Sequence, residues 1–272
     1  CDSFLDETNY SDVTSEGGYY DTEAGLNAVV NACYTPLRFW AGREDAIGLS
    51  ETGTDIIAAG SGCVDNNMAA YTQSLDGTNS ACTFYFDRFY AAINWCNTAI
   101  SHARTVPNPS NDEILATTLN KREAEARVLR TFYYWILTET FGDTYYTDQP
   151  STSIVMNPVK TSTDDIYQSM FDDLDWAIKS KLSTLQNDGG RVTIWTAKAL
   201  KARLLLTRAS EKNDVDMYRQ AYDLAKDVIE NGPFELAEDF ASIWDMKKSD
   251  GNSNKEVIWY CLLYTSPSPR DS

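Results

Sequence analysis

The stretch from Lys121 to Asp143 constrains the fold more than any other part of the chain. Its sequence is KREAEARVLRTFYYWILTETFGD, and Gly142 stands where a helix would end. The apolar side chains recur at steps of three and four residues, which places them along one side of an α-helix. They are Leu129, Phe132, Tyr133, Ile136, Leu137 and Phe141. The pattern predicts a long helix packed into a core.

The same periodicity recurs along most of the chain. Ser110 and Glu113 form an S-x-x-E capping box for the long helix, and three hydroxyl residues at 161–163 are cap candidates for the next one. Residues 38–83, between the first two helices, are rich in glycine, which indicates loops. Within them we expect a short extended piece from Asp45 to Ile57. We predict helices over residues 22–37, 83–102, 110–141, 163–182, 191–208 and 217–230, and a helical turn at 240–244.

The net charge disfavours two classes of partner. The 272 residues carry a formal net charge of −17, which disfavours nucleic acid and anionic membrane surfaces. No apolar run approaches the roughly 20 residues that span a bilayer. A neutral ligand such as a sugar fits this composition better, although we expect most of the aromatic rings to lie in the core.

Residues for covalent chemistry are few. His102 is the only histidine and has no Cys or His companion at metal-ligand spacing, so we interpret it as a helix cap and predict neither a metal site nor a His-based catalytic triad. Asp164-Asp165 and Asp172-Asp173 are adjacent pairs, which we interpret as caps and solvated helix faces. Carboxylate pairs that hydrolyse glycosides depend on three-dimensional spacing, so that alternative stays open. No sequence pattern indicates a cofactor, and we predict none.

The long helix also resembles a family motif, E-A-x-x-L-R-A-x-x-Y-x-x-L-x-x-x-F-G-D-x-P, found in the SusD/RagB outer-membrane nutrient-binding lipoproteins. Thr131 replaces the usual Ala, and Tyr145 stands near the usual Pro. Other segments resemble further motifs of the same family, and these motifs occur in the family's order over nearly all of residues 1–260. In this motif the matching residues are Glu125, Ala126, Leu129, Arg130, Tyr133 and Phe141-Gly142-Asp143.

The resemblance implies an all-α fold of tetratricopeptide-like helical hairpins with long loops and little β structure. It gives Arg130 a structural hydrogen-bonding role. Asn97 lies on the apolar side of the second helix, where a polar side chain needs hydrogen bonds, so we expect it to link the helix to a neighbouring loop.

Family members are surface glycan-binding components that deliver oligosaccharides or other nutrients to a SusC-type TonB-dependent transporter without catalysis. The resemblance therefore implies an outer-membrane protein that faces outside. Two alternatives remain at this stage: a helical-repeat scaffold for protein interactions, and a secreted helical glycosidase.

Two further predictions concern the first and last residues of the sequence. Cys1-Asp2-Ser3 resembles the mature start of family lipoproteins, in which the Cys is acylated, so Cys1 is the expected lipid anchor and residues 1–21 the tether. The resemblance implies that residues 22–260 are the N-terminal portion of the family's helical domain, which normally continues for a further, roughly equal length. Residues 261–272 resemble the translation of a sequencing adapter, and we expect them to be non-native.

The loop-rich stretch after the first helix supplies the candidate ligand site. Rings that stack on sugars and side chains that hydrogen-bond to hydroxyls occur there, and the family draws its glycan site from the same region. Cys63 and Cys82 bracket a loop of roughly 20 residues, and a disulfide between them would stabilise the fold by about 3 kcal/mol; free thiols are the alternative. The candidate ligand contacts are Trp40, Arg43, Asp55, Asn66, Asn67 and Tyr71.

Overall fold

α-Helices dominate the computed structural model, which describes residues 18–41, 44–58, 60, 66–186, 188–244 and 254–259. The one sheet in these ranges is a short antiparallel pair, β1 (Thr144–Tyr145) and β2 (Lys160–Thr161). The predicted all-α class with little β structure is confirmed. In chain order the helices are α1 (Glu23–Tyr34), α2 (Leu37–Ala41), α3 (Glu44–Ser50), α4 (Asn66–Ala70), α5 (Ser80–Thr105), α6 (Glu113–Phe141), α7 (Thr163–Ile178), α8 (Ile194–Lys212) and α9 (Val215–Asn231).

Consecutive long helices pack on each other as hairpins. α5 packs on α6, α6 on α7, and α8 on α9, while α1 covers α5 and α6. Aromatic rings fill the centre: Phe89 stacks on Tyr133 with centroids 5.5 Å apart, and both side chains are fully buried. The predicted helical turn is present as a 3₁₀ helix at Phe240–Trp244.

Helix ends follow local capping chemistry and differ from the prediction at several positions. Pro36 has no amide hydrogen and limits the first helix, as the sequence predicts: α1 ends at Tyr34, and the short α2 begins at Leu37. α5 is longer than predicted at both ends, α7 stops at Ile178, and α8 starts at Ile194, after its N-cap Thr193.

The predicted capping box of Ser110 and Glu113 is wrong. The N-cap of α6 is Asp112, whose Oδ1 accepts from the amides of Ile114 at 2.8 Å and Leu115 at 3.2 Å. Asn108 holds Asp112 in a preceding turn, and Ser110 lies inside that turn. The cap of α7 is Ser162, as expected.

The segment after α1 is more helical than predicted. α2, α3 and α4 occupy parts of it, and α3 replaces the first half of the extended piece expected from Asp45 to Ile57. Ala46 and Leu49 are three residues apart and turn inwards, which favours a helix. In the second half of that piece, extended pairing is limited to one parallel bridge between Thr52 and Ile57.

A buried polar network joins α5, α6 and α7. Arg130 donates from Nε and Nη2 to the two carboxylate oxygens of Asp173, both at 2.8 Å, and from Nη1 to Asn97 Oδ1 at 2.7 Å. Burial alone would lower the pKa of Arg130, but the charge and hydrogen bonds of Asp173, together with nearby Tyr146 and Cys96, raise that pKa above its ordinary value. The predicted structural role of Arg130 is confirmed.

Asn97 carries this network into the loop after α6. Its Nδ2 donates to the carbonyl oxygens of Thr147 at 3.1 Å and Gln149 at 3.0 Å, so its predicted link to a loop is also confirmed. The solvated face predicted for Asp173 is wrong, because its carboxylate is 5% exposed and also accepts from Arg127. A charge is tolerated at this depth because two guanidinium groups surround it.

Candidate functional site

An open groove of about 770 Å³ lies between the α2–α4 segment and the carboxyl end of α6. Trp40 of α2, Met68 of α4 and the following Tyr71 form one wall. Trp135 and Glu139 of α6 form the other, and Arg203 reaches in from α8. Side chains from four helices therefore converge on one concave surface.

Four aromatic residues line this groove, Phe141 and the three whose positions follow. The ring of Trp40 meets that of Tyr85 edge-on with centroids 5.8 Å apart, which leaves it half-buried. Trp135 packs against Phe132 and lies under the guanidinium of Arg203, 4.8 Å from the ring centroid. Tyr71 has a left-handed backbone, φ +47°, and its side chain is 74% exposed.

Polar groups at the groove are mostly acceptors. Asp76 accepts from the amide of Thr78 at 2.8 Å and from its hydroxyl at 2.7 Å. These hydrogen bonds lower the pKa of Asp76, so its carboxylate is charged at neutral pH. Glu139 accepts from the hydroxyl of Tyr167. Arg203 also lines the groove and is a cationic hydrogen-bond donor. The groove thus combines ring faces with hydrogen-bonding groups.

The structure brings together only part of the predicted ligand site. Trp40 and Tyr71 line the groove, whereas Asp55 is exposed and not part of its lining. Asn66 and Asn67 begin α4, beside the groove residue Met68, and nothing is described of their side chains.

Three other predictions fall outside the described residues: Arg43, Cys63 and Cys1. Cys82 lies in α5 on the groove wall. Because Cys63 lies outside the described residues, the Cys63–Cys82 disulfide stays a prediction. Cys33 and Cys96 are buried thiols, and burial raises the pKa of Cys96.

Trp135, Glu139 and Arg203 were missed by the sequence analysis. Each lies on a long helix, where single side chains are expected to serve packing or solvation. The one available signal was position, since Trp135 and Glu139 are four residues apart and share a helix face.

A second chamber of about 440 Å³ adjoins the groove. The two share Gly77, Cys82 and Phe141, and the smaller one is lined mainly by apolar groups, including Phe86 and Tyr145. Phe141 therefore contributes to the walls of both cavities.

Among the described residues, no cluster of three His, Cys, Asp or Glu side chains could hold a metal ion. The cap role predicted for His102 is wrong, because its Nδ1 pairs with Asp21 Oδ1 at 2.8 Å. None of the helices within the described ranges has the length and apolarity needed to cross a bilayer.

Fold and groove together define a class: a helical-hairpin protein with an open, aromatic-lined groove. A family model described as "Starch-binding associating with outer membrane" matches residues 55–258. The chain belongs to this SusD-like family.

Individual relatives agree with this assignment. A SusD-like protein of Bacteroides ovatus is 28% identical over 272 residues, covering 94% of this chain and 46% of that protein. Surface glycan-binding protein A from Bacteroides uniformis superposes with a TM-score of 0.70 at 22% identity, over 88% of this chain and 52% of that one. A laminarin-binding SusD-like protein superposes with a TM-score of 0.68 at 20% identity, over 85% of this chain and 50% of that one. The chain thus spans about half the length of the relatives it matches, and the two superpositions establish the shared fold.

Proposed function

We propose that this chain is the glycan-binding part of a cell-surface uptake protein, and that it captures neutral oligosaccharides in the groove without cleaving them. The observation that carries the proposal is the convergence of Trp40, Tyr71 and Trp135 on one open groove. Binding sites of this kind combine apolar and aromatic walls with a few polar groups that fix orientation.

Sugar chemistry matches these walls. The C–H face of a pyranose ring packs on an aromatic face, and its hydroxyls donate to carboxylates and accept from a guanidinium. Glu139 and Asp76 supply acceptors, and Arg203 supplies donors. A neutral ligand also avoids the repulsion that a chain of net charge −17 exerts on anions.

The names of relatives support the same ligand class. One structural neighbour is called a surface glycan-binding protein, and another is called laminarin-binding. Because the chain spans about half of such proteins, we propose that residues beyond this sequence complete the site. Most of the groove side chains lie on helices, which hold them rigidly in place.

The cellular setting is part of the proposal. We propose that the protein is held on the outer membrane by an acylated Cys1, faces outside, and hands its ligand to a SusC-type TonB-dependent transporter. The family description, with its outer-membrane association, supports this setting. Two acyl chains would anchor the protein stably, because one chain alone binds a membrane only marginally.

Labelled oligosaccharides test the proposal against its two alternatives. The protein is immobilised and incubated with fluorescent neutral glycans of several linkages. Retention of intact glycan is the expected result. Release of shortened products would indicate a glycosidase. Failure of the complete gene product, with the residues proposed to complete the site, to retain any glycan would favour a protein-interaction scaffold and contradict the proposal.

A further inference from the structure

Helix α9 has two neighbouring apolar stripes, and only one of them is covered. The inner stripe contains Ala221 and Val228, which are buried, with α8 as the packing partner. The second, here called the outer stripe, follows steps of three and four residues along the helix. Its members are Val215, Tyr218, Tyr222, Ala225 and Ile229, and all five are exposed.

Exposure along the outer stripe is high. Val215 is 68% exposed, Tyr222 63% and Ile229 75%. Scattered apolar residues are common on protein surfaces, but a continuous line with this spacing forms the seam along which one helix packs on another. It spans nearly the whole of α9.

Charged residues border the outer stripe on the side away from the inner one. Each of them directly follows a member of the outer stripe in sequence; they are Asp216, Arg219, Asp223, Lys226 and Glu230. Arg219 pairs with Asp216 at 3.5 Å and Lys226 with Glu230 at 3.8 Å. Apolar groups therefore occupy two adjoining faces of α9, and solvated charges occupy the next.

We propose that the outer stripe is the docking face for a further α-helix of the same polypeptide, in a product as long as its relatives. Each long helix from α5 to α7, and α8 with α9, packs on its successor. The outer stripe would continue that series by one helix. The relatives supply the length, because this chain matches 46% of one and 47% of another.

A second copy of the chain fits the outer stripe poorly. In an antiparallel pair centred between Tyr222 and Asp223, the charged edges would meet each other. Arg219 would then face Lys226 of the second copy, and Asp223 would face its own counterpart. Like charges at such positions repel, and each copy carries −17 overall.

The test compares the 272-residue chain with the product of the complete gene. We expect Ile229→Ser to leave the melting temperature of the shorter chain within about 1 °C, and to lower that of the complete product by several degrees. Ile114→Ser is the matched control, because Ile114 is 80% exposed in the first turn of α6. It should leave both melting temperatures unchanged.

Hydroxyl-radical labelling of Tyr222 provides a second readout. We expect at least tenfold less labelling in the complete product than in the shorter chain. Equal labelling, or a complete gene that ends at Ser272, would overturn the proposal. It would also be overturned by a dimer of the shorter chain that Ile229→Ser dissociates, or by protection that needs an added partner protein. Glycan retention is measured separately, so failure here leaves the proposed function intact.

Discussion

Replacing Arg130 with Met removes the centre of the buried network while nearly keeping the length of the side chain. Arg130 is 4% exposed and makes two hydrogen bonds to Asp173, one to Asn97 and one to the carbonyl of Asp148. After the change, Asp173 keeps only Arg127 as a charged partner, and Asn97 Oδ1 loses its donor.

The expected loss of stability follows from these contacts. Breaking a buried ion pair by removing one partner costs about 3–5 kcal/mol. The Asp173–Arg127 contact offsets part of that cost, and the unpaired Asn97 oxygen adds to it by about 1–3 kcal/mol. We therefore expect a loss of about 3–5 kcal/mol, or roughly 6–20 °C in melting temperature.

Thermal unfolding followed by far-ultraviolet circular dichroism measures this loss. Arg219→Met is the matched control, because the Arg219–Asp216 pair is exposed on both sides and such pairs contribute about 0–1 kcal/mol. Added salt should reduce the drop in melting temperature caused by Arg219→Met and leave the drop caused by Arg130→Met nearly unchanged. Equal melting temperatures for the two variants would refute the structural role of the network.

Three further changes test local features. Asp112→Ala should destabilise the fold by about 1 kcal/mol in urea unfolding and Ser110→Ala by almost nothing, because only Asp112 caps α6; equal losses would contradict this. Hydrogen bonds from Thr163 lower the pKa of Asp143, so the stability that Asp143 provides is present above its ordinary pKa of about 4 and lost as pH falls below it. Asp143→Asn should flatten that part of the pH–stability profile, and an unchanged slope would count against it. Asn97→Ala should free two loop carbonyls and speed proteolysis of the loop after α6, and unchanged cleavage would argue against the link.

Periodicity was enough to predict the long helices, because each has a stripe of apolar residues that a core can cover. It failed for α3, where Ala46 and Leu49 are too few to form a visible stripe. For α7 the sequence offered three neighbouring cap candidates, and the structure uses the middle one, Ser162. At α6 the preceding turn displaced the cap to Asp112, and the turn depends on Asn108, outside the motif.

The candidate site was only half predictable for a physical reason. Trp40 and Tyr71 stood out because they lie in a glycine-rich segment. Trp135, Glu139 and Arg203 lie on helices whose faces meet only in the folded chain. Sequence spacing along one helix cannot reveal which neighbouring helix will complete a groove.

Isothermal titration of the protein with a neutral oligosaccharide that it retains tests the central claim most directly. Tyr71→Ala should weaken binding about tenfold, since losing one stacking contact removes on the order of 1–2 kcal/mol. Tyr222→Ala, a change at a tyrosine of similar exposure far along the chain on α9, should leave the affinity unchanged. Equal affinities for Tyr71→Ala and the unaltered protein would contradict the assignment of the groove as the glycan site.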